Sequence, residues 1–280
     1  FGKPNAGKST LLNTLLGEKL AITSPKVQTT RHRILGILNK PEVQIIFSDT
    51  PGIIKPEYKL HEKMMQLVKT ALEDADVALF LMDARDSPEQ NLELFSSLRI
   101  KSSKILVINK TDLVGRERMK EIKDFFSSRQ FENITEISAL KGDNIEALIE
   151  KIIMLLPECP PYYPEDMLTE KPVRFFVAEL IREKIFNLYQ KEIPYHTTVL
   201  VTQFEEKNTL TKISADIIVQ RETQKGIILG EKGKAIKELG TLSRLDIEAF
   251  IERKVFLELH VKVRDDWRDK EGFLKEYGYN

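Results

Sequence analysis

Eight residues at the start of the chain, Gly2-Lys3-Pro4-Asn5-Ala6-Gly7-Lys8-Ser9, have the types and spacing needed to hold a phosphate. They fit G-x-x-x-x-G-K-[ST], in which small residues let successive backbone N–H groups turn inward around an anion. In that pattern Lys8 reaches the β- and γ-phosphates as a point charge, and the Ser9 hydroxyl ligates Mg²⁺. Thr10-Leu11-Leu12-Asn13-Thr14-Leu15-Leu16 reads as a helix whose positive N-terminal end faces the same phosphates. A strand is expected just upstream of Gly2, and only Phe1 stands there.

A second set of oxygens lies downstream. Val43-Gln44-Ile45-Ile46-Phe47 is rich in β-branched and apolar residues, and it leads into Asp49-Thr50-Pro51-Gly52. A carboxylate at the end of a buried strand suits Mg²⁺, held through a water. Gly52 has no side chain to keep its N–H from a γ-phosphate, and Ile53 follows it. Between these two sets lies a polar stretch, Lys19 to Thr30, with Ser24-Pro25 at its middle. Such a loop suits a switch in which one threonine hydroxyl completes the metal shell; Thr30 is preferred, with Thr29 as the alternative. Thr pairs in loops are otherwise turn residues.

The third set reads a base. Ile105 to Ile108 delivers Asn109-Lys110-Thr111-Asp112. The Asp112 carboxylate can accept two bonds, from guanine N1–H and from the exocyclic amine. Adenine offers neither donor on that edge, and a mismatch of this kind discriminates by about 10⁴. Asn109 and Lys110 are expected to tie this loop to the phosphate loop and flank the base. Ile134 to Ile137 ends in Ser138-Ala139-Leu140, where the Ala139 N–H is expected to reach guanine O6.

The elements that must position these residues alternate strand and helix. Strands are expected over Ile34–Leu38, Val43–Phe47, Val77–Met82, Ile105–Ile108 and Ile134–Ile137. Helices are expected near Met64–Leu72, Leu92–Leu98 and Ile145–Leu156. Alternation of this kind implies an α/β domain with a doubly wound, mostly parallel sheet, and every loop above follows a strand C-terminus, where such sheets bind ligands. This domain is assigned to residues 1–157. A proline-dense stretch, Pro157-Glu158-Cys159-Pro160-Pro161-Tyr162-Tyr163-Pro164, opens a semi-rigid linker over 158–172.

Residues 173–280 read differently. A helix over Val173–Tyr189 and strands over Thr197–Phe204 and Thr211–Val219 precede Gly226-Ile227-Ile228-Leu229-Gly230-Glu231-Lys232-Gly233-Lys234. A helix end, a G-x-x-G turn and a Lys-rich helix start form the signature of a KH domain, whose loop clamps single-stranded RNA. Gly230 and Gly233 permit close phosphate approach, Glu231 lies between them, and Lys225, Lys232, Lys234 and Lys237 supply local charge. A further helix over Leu242–Ile251 and a strand over Val255–Val263 complete an α+β, type II KH order. Trp267 is expected to pack rather than stack a base.

Lys+Arg and Asp+Glu both number 43, so bulk charge excludes a general polyanion binder and any RNA contact must be local. One cysteine, Cys159, rules out a disulfide within the chain and fits a reducing compartment. No apolar run approaches the roughly 18 residues of a spanning helix.

Five motifs in this order resemble a translation-factor-class GTPase. With one KH domain behind it, the whole chain resembles the Era family of bacterial ribosome-assembly GTPases. Ile22-Thr23-Ser24-Pro25-Lys26, Gln28-Thr29-Thr30-Arg31-His32-Arg33, Pro194-Tyr195, Ile228-Leu229-Gly230-Glu231-Lys232-Gly233 and Val261-Lys262-Val263 carry that likeness. The resemblance implies GTP/GDP as ligand with Mg²⁺, and slow hydrolysis of GTP to GDP and phosphate. Lys8, Asn5, Thr30 and Gly52 are the residues expected to act in it. It also implies binding of the 3′ end of small-subunit (16S) rRNA during 30S maturation. A cytoplasmic monomer with loose peripheral contact at the cytoplasmic face of the cell membrane is implied too. Ile53 departs from the family of small GTPases that carry a water-orienting Gln after Gly, hence the slow rate. Asn5 matches the position that holds K⁺ in potassium-activated relatives. Two other readings are an RNA-binding module with a vestigial nucleotide site and a tRNA-modification GTPase, although 158–280 carries no pattern for a modification domain.

Overall fold

The computed structural model describes residues 1–98, 100–129 and 131–279, so the assigned end of the second domain, Asn280, lies outside them. The chain divides into two compact units, and the boundaries are not those of a single cut. The first comprises Phe1–Ala21, Thr30–Lys55 and Met64–Glu170; the second comprises Ile22–Thr29, Pro56–Lys63 and Lys171–Asn280.

In the first unit, helix α1 (Lys8–Leu16) is followed by strands β1 (Ile34–Lys40) and β2 (Val43–Asp49). These pair antiparallel from Ile34↔Asp49 to Lys40↔Val43. Helix α2 (Lys59–Asp74), of which Met64–Asp74 belong to this unit, buries Met64, Val68, Ala71 and Leu72, with Leu67 half-buried beside them. Strand β3 (Val77–Asp83), helix α3 (Pro88–Ser96), strand β4 (Ser103–Asn109), helix α4 (Arg116–Ser127), strand β5 (Ile134–Glu136) and helix α5 (Ile145–Ile153) complete it. β3, β4 and β5 are parallel, with Asp83 in register with Asn109. Val77 to Ile108 supplies the centre of a core built from Phe80, Met82, Phe95, Leu106, Ile108, Ile122 and Phe126. Phe1 lies along β3: its amino group donates to Leu79 O at 2.7 Å and its carbonyl accepts from Leu81 N–H at 2.8 Å. A trough of about 1470 Å³ lined by Leu11, Leu12, Leu15, Ile45, Leu79 and Leu81 continues that line between β2 and β3.

The proline-dense segment does not hang between units. Gln44 Oε1 accepts from the N–H groups of Tyr162 (2.8 Å) and Tyr163 (3.0 Å). Ile37 N–H donates to Leu168 O at 2.8 Å, and Thr169 Oγ1 donates to Leu35 O at 2.7 Å. Prolines cannot donate to a ladder, so the strap is held by side chains of β1 and β2 as much as by backbone.

In the second unit, helix α6 (Val173–Leu188) is followed by strands β6 (Thr198–Glu206) and β7 (Thr211–Val219). Helix α7 (Glu222–Leu229), helix α8 (Lys234–Ile251), strand β8 (Val255–Val263) and helix α9 (Glu271–Glu276) follow. β7 pairs antiparallel with β6 and parallel with β8. The sequence suggests a break before Leu242, but α8 runs unbroken over 18 residues. Gly240 has no Cβ, so its conformational penalty of about 1 kcal/mol is the only local argument against continuity, and packing of Leu239, Ser243 and Ile247 overrides it. The helix expected separately over Leu242–Ile251 is the second half of α8, so the order is α-β-β-α-α-β, followed by α9. Trp267 is fully buried and donates Nε1–H to His196 O at 3.0 Å, so it packs and does not stack a base.

Candidate functional site

Gly7 begins α1 at φ 97°, and a Cβ there would lie 2.2 Å from Asn109 Nδ2. Only glycine lets the phosphate loop and the base loop approach this closely. Lys8 Nζ donates to Gly2 O at 3.2 Å and to Lys3 O at 2.9 Å, so the ammonium curls back into the cradle of its own loop. Burial pushes its pKa down to about 8, partly opposed by the Asp49 carboxylate.

The expected metal oxygens converge. Ser9 Oγ donates to Asp49 Oδ2 at 2.7 Å and lies 2.8 Å from Thr30 Oγ1. Thr30 thus reaches the site, while Thr29 does not: its hydroxyl donates to Lys26 O at 2.7 Å. Burial raises the Asp49 carboxyl, against the hydrogen bond from Ser9 and the charge of Lys8. Asp49 Oδ1 and Thr50 Oγ1 are buried with no hydrogen-bond partner among the described residues. Unsatisfied buried oxygens of this kind are costly unless something binds them. Two hydroxyls and one carboxylate are hard ligands that leave positions for water and phosphate, which fits Mg²⁺. Among the described residues no group of three His, Cys, Asp or Glu side chains gathers to hold a metal. A Cβ on Gly52 would come within 2.8 Å of Pro4 N, and Ile53 N–H donates to Gly2 O at 3.1 Å, so the Pro51-Gly52-Ile53 turn is tied to the phosphate loop.

The base loop is tied there too. Asn109 Nδ2 donates to Ala6 O at 2.8 Å, and its Oδ1 accepts from Lys110 N–H at 2.8 Å and Ala139 N–H at 3.0 Å. The Ala139 amide, expected to serve guanine O6, is thus engaged by Asn109 here. Thr14 Oγ1 donates to Ala139 O at 2.7 Å, a contact between α1 and the base loop that spacing did not reveal. Lys110 takes φ 65° and its Nζ donates to Asn5 O at 2.7 Å. Ser138 Oγ donates to Asp112 Oδ1 at 2.7 Å, orienting the carboxylate at the head of a short turn over Thr111–Leu113. Leu140 is 81% exposed beside it.

In the second unit, Gly230 (φ 70°) and Gly233 (φ 75°) bracket Glu231 and Lys232, and Lys232 itself is left-handed at φ 51°. A Cβ on Gly230 would fall 2.5 Å from the Ala235 Cβ. Lys232, Lys234 and Lys237 are exposed, Lys225 is half-buried, and Ile227 beside them is 49% exposed. The turn therefore offers three cations and an apolar step, the second of which was not read from the sequence.

Residues 1–110 match the family described as 50S ribosome-binding GTPase, and residues 192–268 match the KH domain. GTPase Era of Geotalea uraniireducens (strain Rf4) is 45% identical over 283 residues, covering 100% of this chain and 95% of that protein. The chain belongs to the Era family of GTPases. Chloroplastic GTPase ERA1 of Zea mays is 46% identical over 100% of this chain and 69% of its own length. A crystal structure of an Aquifex aeolicus Era variant bound to GDP·AlF₄⁻ superposes with a TM-score of 0.95 at 41% identity, covering 99% of this chain and 96% of that one. An Era complex with MgGDPNP and nucleotides 1506–1542 of 16S ribosomal RNA gives the same TM-score, identity and coverage. As an Era-family protein the chain is a GTP-binding, GTP-hydrolysing enzyme with a doubly wound P-loop domain and a KH domain.

Proposed function

We propose that this chain is a GTP-driven switch that binds the 3′ end of small-subunit rRNA through the Gly230–Gly233 turn and assists 30S maturation. The observation that carries the reading is the convergence of Ser9, Thr30 and Asp49 beside a base loop that Asn109 ties to Ala6. The Era structure with MgGDPNP and 16S rRNA nucleotides supports the RNA assignment.

In this reading Lys8 and the N–H groups of Asn5 to Ser9 hold the phosphates and stabilise charge that develops on them. Ser9, Thr30 and, through water, Asp49 would hold Mg²⁺; when bound it neutralises charge on the β- and γ-phosphate oxygens. Water attacks the γ-phosphorus in line, the bond to the β–γ bridging oxygen breaks, and GDP and phosphate leave. Ile53 cannot orient that water by hydrogen bonding, so turnover is slow, and Asn5 compensates by holding K⁺. Asp112, oriented by Ser138, selects guanine.

Loss of the γ-phosphate frees Thr30 and Gly52, which reports nucleotide state to the RNA-binding unit. The oxygens gathered at Ser9 disfavour a vestigial nucleotide site. Among the described residues no helix is long and apolar enough to cross a membrane. The family likeness supports a cytoplasmic place of action with peripheral contact at the cytoplasmic face of the cell membrane. Calorimetry with GTP and ATP tests the nucleotide reading: tight GTP binding and at least 10³-fold weaker ATP binding are expected from the base chemistry. Equal affinities overturn it.

A further inference from the structure

Asp83 ends β3 as Asp49 ends β2, yet the nucleotide chemistry above gives it no task. Its side chain is 8% exposed and carries two cations. Arg85 makes three bonds to it: N–H to Oδ1 at 3.0 Å, Nε–H to Oδ1 at 2.9 Å and an NH2 donor to Oδ2 at 2.6 Å. Lys110 Nζ lies 2.8 Å from the same Oδ2. Burial alone would raise this carboxyl, but the bonds from Arg85 and Lys110 override it and hold it well below the usual carboxylate range. It is therefore a permanent anion at any working pH.

The register explains why the partner is Lys110. Asp83 and Asn109 are paired across the parallel β3–β4 ladder, so they stand side by side at the strand ends. The next residue, Lys110, turns left-handed, and its side chain runs back across the strand ends. Its ammonium is then fixed between Asp83 Oδ2 and Asn5 O. A lysine stem is flexible and loses rotamer freedom when it is fixed. Clamping it before the nucleotide arrives removes that loss from the binding step.

We propose that Asp83 is a positioning residue for guanine nucleotide binding, acting through Lys110 as the anchor of a strut between the base loop and the phosphate loop. Arg85 serves the strut by fixing the carboxylate so that Oδ2 faces Lys110. The chain of contacts runs Arg85, Asp83, Lys110, Asn5, and its last member lies in the phosphate loop.

The test is a double-mutant cycle on GDP affinity, read by titrating nucleotide-free full-length protein with a fluorescent methylanthraniloyl-GDP. Asp83→Asn is expected to weaken binding about tenfold, the scale of a lost charge-assisted bond. Lys110→Met is expected to weaken it at least as much, and the double variant no more than Lys110→Met alone. A carboxylate that merely stabilised the fold would lower affinity by the same factor in both backgrounds, and that multiplicative result overturns the proposal. So does an unchanged affinity in Asp83→Asn. Asp83→Glu keeps the charge and guards against misfolding: a three- to tenfold loss that vanishes in the Lys110→Met background supports the strut, and a loss that persists there refutes it. Tight GDP binding by the unaltered protein separates failure of this idea from failure of the guanine reading.

Discussion

Lys8 holds the most consequential proton in the nucleotide site. Its pKa in the free protein is about 8 because burial strips water from the ammonium. A folded pKa below the unfolded value of about 10.5 means the unfolded chain binds more protons between those limits. The Lys8 contribution to stability of the nucleotide-free protein therefore rises with pH from about 8 to about 10.5, seen as a rising urea midpoint that Lys8→Met abolishes. Nucleotide phosphates reverse the balance, since an opposite charge favours the ammonium. Binding of GDP at pH 8.5 should take up about 0.8 proton, measured by calorimetry in buffers of different ionisation enthalpy. Lys8→Arg keeps a fixed charge and should take up none. Ser138 gives a second expectation at this scale. Its hydroxyl is the neutral partner that aims Asp112, so Ser138→Ala should weaken GTP and GDP alike by about five- to tenfold, a single lost hydrogen bond of about 1–1.5 kcal/mol. Fluorescence titration checks the value; a change in kcat without one in affinity would contradict the assignment.

At the scale of elements, the Gly230–Gly233 turn presents charge where an α-helix begins. Lys232 lies in the turn and Lys234 opens α8, both exposed. Each phosphate contact on a single strand adds about 0.7 to the slope of log affinity against log salt. Lys232→Ala with Lys234→Ala should therefore lower that slope by about 1.4 for a single-stranded RNA while leaving GDP affinity unchanged; filter binding over a salt series measures it. Much of this is legible in the sequence. The phosphate loop, the Asp49 and Asp112 strand ends and the G-x-x-G turn are local devices whose chemistry demands particular residues at fixed spacing. β7 and β8 were read to the residue because their β-branched runs are bounded by turns. Helix α4 went unread: it buries only Met119, Ile122 and Phe126 among charged neighbours, too sparse a stripe to outvote a loop. The charged residues of α6 hide their position in the opposite sense. Glu179, Arg182 and Glu183 are buried although their types suggest a wet face, because Arg182 pairs with Glu179 at Nε–Oε1 2.8 Å and Glu183 accepts from Thr23 N–H at 2.9 Å. Arg182 and Glu179 satisfy each other one turn apart, while Glu183 relies on Thr23, 160 residues away, a partner that periodicity cannot see. Thr14 and Asp83 escaped for the same reason.

At the scale of the whole molecule, the feature that matters is how the switch loop is shared. Ile22–Thr29 belongs to the second compact unit and Thr30 to the first, so one peptide bond joins them. On one side of that bond Thr30 Oγ1 touches Ser9 in the metal site. On the other, the Thr29 carbonyl accepts from Arg182, and Lys26 Nζ donates to the carbonyls of Phe186 and Tyr189 at the end of α6. Those carbonyls are orphans of the last helical turn, and a cation is well placed on them. Burial holds the Lys26 ammonium below its usual range, so the interaction is made against a desolvation cost and depends on the carbonyls being in reach. If nucleotide state reaches RNA by this route, releasing Lys26 should uncouple the two ligands without destroying either site. Lys26→Met should change GDP affinity less than threefold. It should also bring the ratio of RNA affinities measured with a non-hydrolysable GTP analogue and with GDP close to one, starting from a ratio of at least five, the lower bound of ordinary allosteric coupling. Fluorescence anisotropy with a labelled single-stranded RNA reads both numbers. A ratio that survives in Lys26→Met would place the coupling elsewhere, with Pro56–Lys63 the next segment to alter, since Leu60 N–H donates to Arg268 O at 3.0 Å within the same unit. A ratio of one in the unaltered protein would mean that nucleotide and RNA bind independently, and the switch reading would fail with it.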